Sequence, residues 1–146
     1  MKKNYQDYIE QPVGRILSLT GKSFLCTINQ KLLHLDIDRN FFALTLIEMG
    51  KGEINQQDLV GFLESDKVSV VRIINYLSEK GYVIRVKSKL DKRKYSLHIT
   101  EKAKRDLPEI KQTLTKVTSK AFEGLNKSEI DSFLRTLNII KNNLNK

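Results

Sequence analysis

The chain has 146 residues and a net charge of +9, with 40% hydrophobic and 29% charged residues. This length suits one domain with a real core, and this apolar content excludes a disordered chain. The single cysteine excludes a disulfide framework or a cysteine-rich metal site, and the N-terminus lacks a signal-peptide pattern. The chain also has no run of about 20 apolar residues, so we expect a cytoplasmic protein with no membrane segment.

The first predicted element is a helix that begins at Pro12 and carries apolar residues at helical spacing as far as Leu32. Residues 35–38 (Leu-Asp-Ile-Asp) predict a short break, with Asp38 as a possible N-cap for a second helix over 39–49. Gly50 ends that helix. Four of its side chains are expected in the core: Phe41, Phe42, Leu44 and Ile47.

Two short helices joined by a tight connection follow. Asn55 is a good N-cap for the first, and Ser65 or Asp66 can cap the second, which runs over 67–80. The second helix carries an apolar stripe of Val70, Ile73, Ile74 and Leu77. The pair is a helix-turn-helix pattern, but many all-α proteins contain such pairs, so the pattern alone assigns no function.

After Gly81 the period of the apolar residues changes from about 3.6 to about 2, which predicts two strands around a short tip. In the tip, Asp91 is the only good turn former. We expect one face of the hairpin to pack on the helices through the apolar residues Tyr82, Ile84, Val86, Tyr95, Leu97 and Ile99. The other face should then carry Arg85, Lys87 and Lys94 outward. A helix-turn-helix followed by a basic hairpin is a winged helix.

The rest of the chain predicts two more helices. Thr100 can cap the first, whose apolar residues alternate in spacings of four and three from Ala103 to Leu125. Asn126 or Ser128 can begin the last helix, with apolar positions at Ile130, Phe133, Leu134, Leu137, Ile140 and Leu144. The apolar surfaces at the two ends of the chain predict a two-fold homodimer with intertwined terminal helices. The alternative is a monomeric bundle in which these stripes pack internally.

The positive charge is concentrated in one part of the chain. Residues 82–105 hold nine basic and two acidic side chains, so this segment carries most of the net charge of +9. Such a concentration indicates a polyanionic partner.

The same region resembles the multiple-antibiotic-resistance regulator (MarR) family. The resemblance rests on Leu77-Ser78-Glu79-Lys80-Gly81-Tyr82-Val83-Ile84-Arg85, then Asp91-Lys92-Arg93, then Leu97-His98-Ile99-Thr100-Glu101-Lys102. These match a helix ending in Leu-x-x-x-Gly, an Asp-x-Arg wing and a Leu-x-Leu-Thr-x-x-Gly segment. Ala103 replaces the usual Gly and Ile99 the second Leu, both at structural positions. The order of elements fits essentially the whole chain.

The resemblance implies a mainly α protein with a small β-hairpin. A winged helix-turn-helix over 36–99 is flanked by dimerisation helices in 1–35 and 100–146, all within one compact domain. It implies a dimer whose recognition helices enter successive major grooves of a pseudo-palindromic duplex operator, while the wings reach flanking minor grooves.

The resemblance also implies site residues. The recognition helix contributes Lys67, Ser69, Val71 and Arg72. Lys67 is expected on phosphate, Ser69 and Arg72 on a base edge or phosphate, and Val71 either on a thymine methyl or partly buried. The wing contributes Arg85, Lys87, Lys89, Lys92, Arg93 and Lys94. Arg93 is expected in the minor groove and the lysines on phosphates, while Asp91 should accept hydrogen bonds at the tip and pair with an arginine.

We therefore expect a DNA-binding transcription regulator, more a repressor than an activator, released by a small aromatic or anionic effector whose pocket residues the sequence does not identify. No catalytic set, cofactor motif or metal site stands out, because His34 and His98 lack companions at ligand spacing. Cys26 is expected to be a core or partly exposed thiol rather than a redox sensor. Two alternatives remain open: a winged helix used for protein–protein contact, and a protein that coats DNA without sequence preference.

Overall fold

The structure is a computed structural model and describes residues 12–88 and 91–145. The described residues form six α-helices, one 3-10 turn and one antiparallel hairpin. In chain order the elements are α1 (Val13–Lys31), a 3-10 turn (Asp38–Asn40), α2 (Phe41–Met49), α3 (Gln56–Leu63), α4 (Lys67–Glu79), β1 (Val83–Lys87), β2 (Tyr95–Ile99), α5 (Glu101–Ala121) and α6 (Lys127–Leu144). The predicted fold class, mainly α with a winged helix-turn-helix, is confirmed. None of the helices in the described residues is long and apolar enough to cross a membrane.

Four predicted N-caps are confirmed. Asn55 and Asn126 each form a reciprocal capping box with the acidic residue three positions later. Asp66 accepts from the backbone N–H of Ser69, and Thr100 accepts from that of Ala103. These side chains satisfy backbone donors that a helix leaves unpaired at its N-terminus, and so fix where α3, α4, α5 and α6 begin.

The predicted cap at Asp38 is wrong. Asp38 begins the 3-10 turn with a φ of 49°, whereas an N-cap residue has an extended backbone. α2 begins only at Phe41, after Asn40, whose side chain makes no capping hydrogen bond. Asp38 therefore belongs to the 3-10 turn, and Asp36 forms an ion pair with Lys80 at the end of α4.

The core expectation for α2 is correct for three of four residues. Phe41, Leu44 and Ile47 are buried, but Phe42 is 53% exposed. Almost every position of α2 is apolar, so the sequence carries no contrast between its buried and exposed sides. The burial of Ala43 and Thr45 shows that small and polar side chains of this helix also face the interior.

The packing face predicted for the first strand is also wrong. Val83 pairs with Ile99 and Arg85 pairs with Leu97, so these four side chains lie on one face of the hairpin. Val83 and Leu97 are buried on the helices, whereas Ile84 is 51% exposed. Arg85 consequently lies on the helix-facing side of β1, not on the outward side. Because β1 has apolar residues on both faces, alternation alone does not identify the buried one.

The two C-terminal helices differ in how they pack. α5 packs along α1 and buries Ala103, Leu107, Ile110 and Val117. No side chain is buried in α6, all of which is described, and Leu134, Ile139 and Leu144 are at least half exposed. α6 touches the rest of the chain through an edge-to-face contact between Phe122 and Phe133 and an ion pair between Lys141 and Glu64.

Candidate nucleic-acid interface

α4 presents one exposed side. Burial of Val70, Ile74 and Leu77 turns the opposite side of the helix to solvent. There Val68, Arg72 and Asn75 fall at positions i, i+4 and i+7, which form one stripe along a helix. Val68 is 61% exposed.

Of the predicted residues in α4, Lys67 and Arg72 are exposed, whereas Ser69 and Val71 are half-buried at the margins of the stripe. Sequence reasoning missed Val68 and Asn75. Their spacing from Arg72 was the available signal, because residues three and four apart share a helical face.

Ser69 and Asp66 form a closed local pair. The hydroxyl of Ser69 donates to Oδ2 of Asp66 at 2.6 Å, and its backbone N–H donates to Oδ1 at 2.9 Å. These hydrogen bonds lower the pKa of the Asp66 carboxyl. A serine hydroxyl has one proton, so in this arrangement Ser69 can meet a further polar group only as an acceptor.

Asp91 shapes the tip of the hairpin. Its Oδ1 accepts from the backbone N–H of Arg93 at 3.0 Å, and its carbonyl accepts from that of Lys94 at 2.9 Å. The expected hydrogen-bonding role is thus present, but no arginine among the described residues forms an ion pair with Asp91. Around it Lys92, Arg93 and Lys94 are exposed. Lys89 lies outside the described residues.

Arg85 lies in the corner between the hairpin and α4. Its Nη2 donates to Oδ1 of Asn75 at 2.7 Å. Arg85 also lines a cleft of about 370 Å³ between the hairpin and the start of α3, together with Asn55, Gln56, Gln57, Asp58, Lys94, Tyr95 and Leu97. The concave side of the hairpin is therefore polar and cationic. The exposed Lys87 shares the Arg85 face of β1 and lies two residues nearer the tip.

The orientation of the hairpin is fixed by backbone hydrogen bonds on both sides. The N–H of Leu97 donates to the carbonyl of Ile54 at 2.9 Å, and Asn55 forms a β-bridge with Ser96. The segment before α3 therefore acts as a short third strand. At the base of the hairpin, Thr100 donates its N–H to the carbonyl of Tyr82 and its hydroxyl to that of Gly81.

Tyr82 anchors the same base to α5. Its hydroxyl donates to Oδ2 of Asp106 at 2.9 Å, and Nζ of Lys102 lies 4.2 Å from the ring centroid. Burial, and secondly the bond to Asp106, raise the pKa of the Tyr82 hydroxyl far above its usual range. Lys102 also donates to the carbonyl of Lys80 at 2.7 Å, so α4, the hairpin and α5 meet in one hydrogen-bonded junction.

The remaining candidate groups lie outside this interface. His34 pairs with Glu109 at 2.7 Å, and His98 packs against Gly52. Gly52 has a φ of +83°, and a Cβ there would come within 2.3 Å of the His98 ring. Cys26 is half-buried on α1. In the described part of the chain, no three His, Cys, Asp or Glu side chains come together as a metal site would require.

The winged segment matches a family model. Residues 38–94 match the model described as MarR family. A curated relative, a putative transcriptional regulatory protein for the hcr operon of Thauera aromatica, is 34% identical over 61 residues. That match covers 42% of this chain and only 37% of the relative.

Solved structures match nearly the whole chain. A MarR transcriptional regulator from Methanosarcina mazei Go1 is 26% identical, with a TM-score of 0.78 over 90% of this chain and 94% of that one. A putative MarR-family regulator from Listeria monocytogenes, solved in complex with 26mer DNA, is 24% identical with a TM-score of 0.83 over 92% and 89%. CouR from Rhodococcus jostii RHA1, bound to p-coumaroyl-CoA, is 23% identical with a TM-score of 0.78 over 90% and 92%.

The order of elements, the winged segment and the sequence motifs agree with these comparisons. The family model and the solved structures that match this chain are those of transcription regulators. Residues 38–94 thus match the MarR family model, and nearly the whole chain is similar to solved winged-helix transcription regulators of that family.

Proposed function

We propose that this regulator works as a homodimer that binds a pseudo-palindromic duplex operator with sequence preference and represses transcription by occupying a promoter. The observation that carries the proposal is the pairing of an exposed face of α4 with a cationic hairpin held in a fixed orientation beside it. A helix of this width fits the major groove, and a basic hairpin fits the neighbouring minor groove.

The proposed contacts divide by chemistry. Arg72 can bond a guanine edge with two donors or a phosphate with one, while Val71 can touch a thymine methyl. Ser69 contributes as an acceptor, because its proton is held by Asp66. Arg93 enters a narrow A·T-rich minor groove, where the negative potential attracts a guanidinium group. The phosphate contacts are assigned to Lys67, Lys87, Lys89, Lys92 and Lys94.

Arg85 is proposed to contact DNA at a different position from the other basic residues of the hairpin. Since it lies in the corner beside α4, we assign it to the groove edge between the recognition helix and the wing, not to the outer face of the wing.

The dimer is supported by unpartnered apolar surface at both ends of the chain. Leu134, Ile139 and Leu144 of α6, and Val13 and Leu19 of α1, are at least half exposed. Covering such a surface with a second copy of the chain gives a two-fold interface. We therefore assign 1–35 and 100–146 to dimerisation and 36–99 to DNA binding, with half-sites about one helical turn apart.

Release by a small molecule is supported by a groove between α1 and α5. It has a volume of about 640 Å³ and is lined by Phe24 and Val117 together with Lys31, Lys116 and Lys120. A groove lined by one aromatic side chain and three lysines suits an aromatic or anionic molecule. The similar protein CouR is bound to p-coumaroyl-CoA. Such a ligand releases DNA only if it binds more tightly to a dimer whose recognition helices are spaced wrongly for the operator. The difference between its affinities for the two states sets the size of the shift.

The test is selection of bound fragments from sheared genomic DNA, followed by footprinting of the fragments that are enriched. We expect a protected site with two half-sites, and random duplex should compete at least 1,000-fold less well, on the order of the specificity ratio of such regulators at physiological salt. If random duplex competes equally, the protein coats DNA without sequence preference. If no duplex is protected at all, the winged helix serves protein–protein contact.

A further inference from the structure

We infer that Asn75 is a specificity-determining residue of the DNA interface, and that Arg85 positions it so that its amide presents donors to the major groove. The inference rests on the proposed DNA-binding function. Asn75 would be an additional base-contacting residue, and the orientation of its amide would limit the bases that it can bind.

The position of Asn75 comes from the helix. It is exposed and lies three residues after Arg72 and seven after Val68, in the stripe opposite the buried Val70, Ile74 and Leu77. If Arg72 faces the major groove, Asn75 faces it one turn further along α4.

The orientation of its amide comes from Arg85. Nη2 of Arg85 lies 2.7 Å from Oδ1 of Asn75. A guanidinium group has five donors and no acceptor, so the amide must turn its oxygen toward Arg85. The amide NH₂ group then points away from Arg85 with both donors available.

Arg85 is itself held in place by the hairpin. It pairs with Leu97, which is buried, and stands two residues after the buried Val83. The strand register therefore forces its side chain to the α4 side of the hairpin. Arg85 also lines the cleft together with Gln56 and Lys94, where a DNA phosphate can sit.

This orientation limits the bases that Asn75 can read. An NH₂ donor requires an acceptor in the major groove, and guanine, adenine and thymine each present one. Cytosine presents only its N4 donor on that edge, so it is rejected. The two-bond pairing of Asn with adenine also needs the amide oxygen to face the base, whereas here it is turned toward Arg85.

The experiment is selection from a random 30-bp duplex library with full-length wild type and four variants, in which the enriched motif is read by sequencing. The wild type should exclude cytosine at one position on one strand of each half-site. Asn75→Ala should lose about 5- to 10-fold of that discrimination, the size expected for one hydrogen bond to a base. Asn75→Asp should invert it, because an aspartate accepts from the N4 amine of cytosine.

The other two variants separate positioning from simple loss of charge. Arg85→Ala frees the amide to turn, so it should weaken the preference at the same base pair and leave the other base pairs of the motif unchanged. Arg93→Ala, at the hairpin tip, should lower overall affinity and leave the preference at that base pair intact. Circular dichroism and thermal unfolding check that each variant is folded.

The outcomes distinguish this inference from the proposed function. If the wild type enriches a motif that both Asn75 variants reproduce unchanged, the role of Asn75 is refuted while sequence-specific binding stands. If Asn75→Asp alters the motif and Arg85→Ala does not, Asn75 reads the base without help from Arg85 and the positioning role fails. If the wild type enriches no motif, the proposed function fails, and this inference fails with it.

Discussion

Lys80 and Asp36 form an ion pair, with 2.7 Å between Nζ and Oδ2, that joins the C-terminal end of α4 to the segment between α1 and α2. The hydroxyl of Tyr76 lies 3.4 Å from the other oxygen of the same carboxylate. The end of α4 is thus attached to the element that leads out of α1. A shift of the proposed dimerisation helices would therefore be transmitted through these contacts to α4, the proposed recognition helix.

We predict that the stability of the fold falls in acid partly through Asp36 and Asp66. The bond from Lys80 lowers the pKa of Asp36, and the bonds from Ser69 lower that of Asp66, below the usual 3.8. At a pH near these pKa values the unfolded chain binds more protons than the folded chain, so the free energy of unfolding rises with pH. The contribution is complete above about pH 5 and is lost as the pH falls through the lowered folded-state pKa values.

Urea unfolding at a series of pH values measures this effect. Asp36→Asn and Asp66→Asn should each flatten the rise of the unfolding free energy with pH in the acid range, while Asp131→Asn on α6 serves as the control. Identical slopes for all three variants and the wild type would contradict the assignment.

We predict that adjacent residues of β1 differ sharply in their effect on stability. Val83→Ala removes two buried methyl groups and should lower the free energy of unfolding by about 1–3 kcal/mol. Ile84→Ala, on a side chain that is 51% exposed, should change it by less than about 0.5 kcal/mol. Thermal unfolding measures both. The reverse order would show that the hairpin packs through its other face.

We predict that Arg93 and Lys92 contribute to DNA binding in different ways. Arg93→Ala should weaken operator binding by about 1–3 kcal/mol and remove any preference for A·T pairs in the flanks. Lys92→Ala should weaken binding to all sequences alike and reduce the slope of log K against log salt by about 1. Fluorescence anisotropy across a salt series separates the two effects. Equal changes for both variants would mean that Arg93 contacts only phosphate.

We predict that Leu134→Asp separates the proposed dimer. The change puts a charge in the exposed apolar stripe of α6, where desolvation would oppose association. Size-exclusion chromatography should then shift from a dimer toward the 16.9 kDa monomer. Gln57→Glu adds the same charge at an exposed position on α3, outside the proposed dimerisation helices, and should not shift the elution. A wild type that already elutes as a monomer at micromolar concentration would contradict the dimer.

The sequence predicted the elements well because their ends are chemically marked. Asn55, Asp66, Thr100 and Asn126 are side chains that bond helix N-termini locally, so a few neighbouring residues decide where each helix begins. Asp91 was predictable for the same reason, because its hydrogen bond reaches only two residues along the chain.

The errors arose where local pattern lacked contrast. Phe42 and Ile84 each have apolar neighbours in the sequence, so local pattern does not show that they face solvent. Their exposure depends on where elements distant in the sequence pack. The hydrogen bond between Asn75 and Arg85 was equally unpredictable from the sequence pattern, because it joins α4 to β1 across Gly81. It also depends on the register of β1 with β2. Periodicity describes one element at a time, so it does not reveal contacts of this kind.

The hydrogen bond from Leu97 to Ile54 and the bridge between Asn55 and Ser96 attach the hairpin to the chain well below its tip. The tip residues that the structure describes, Ser88 and 91–94, lie beyond this third-strand contact. Tip length and tip sequence can therefore change without moving α3 or α4. A wing from another regulator, grafted between β1 and β2, should alter the proposed minor-groove contacts and leave the proposed major-groove contacts in place. This loop would then be a site at which winged-helix regulators can exchange sequence preference.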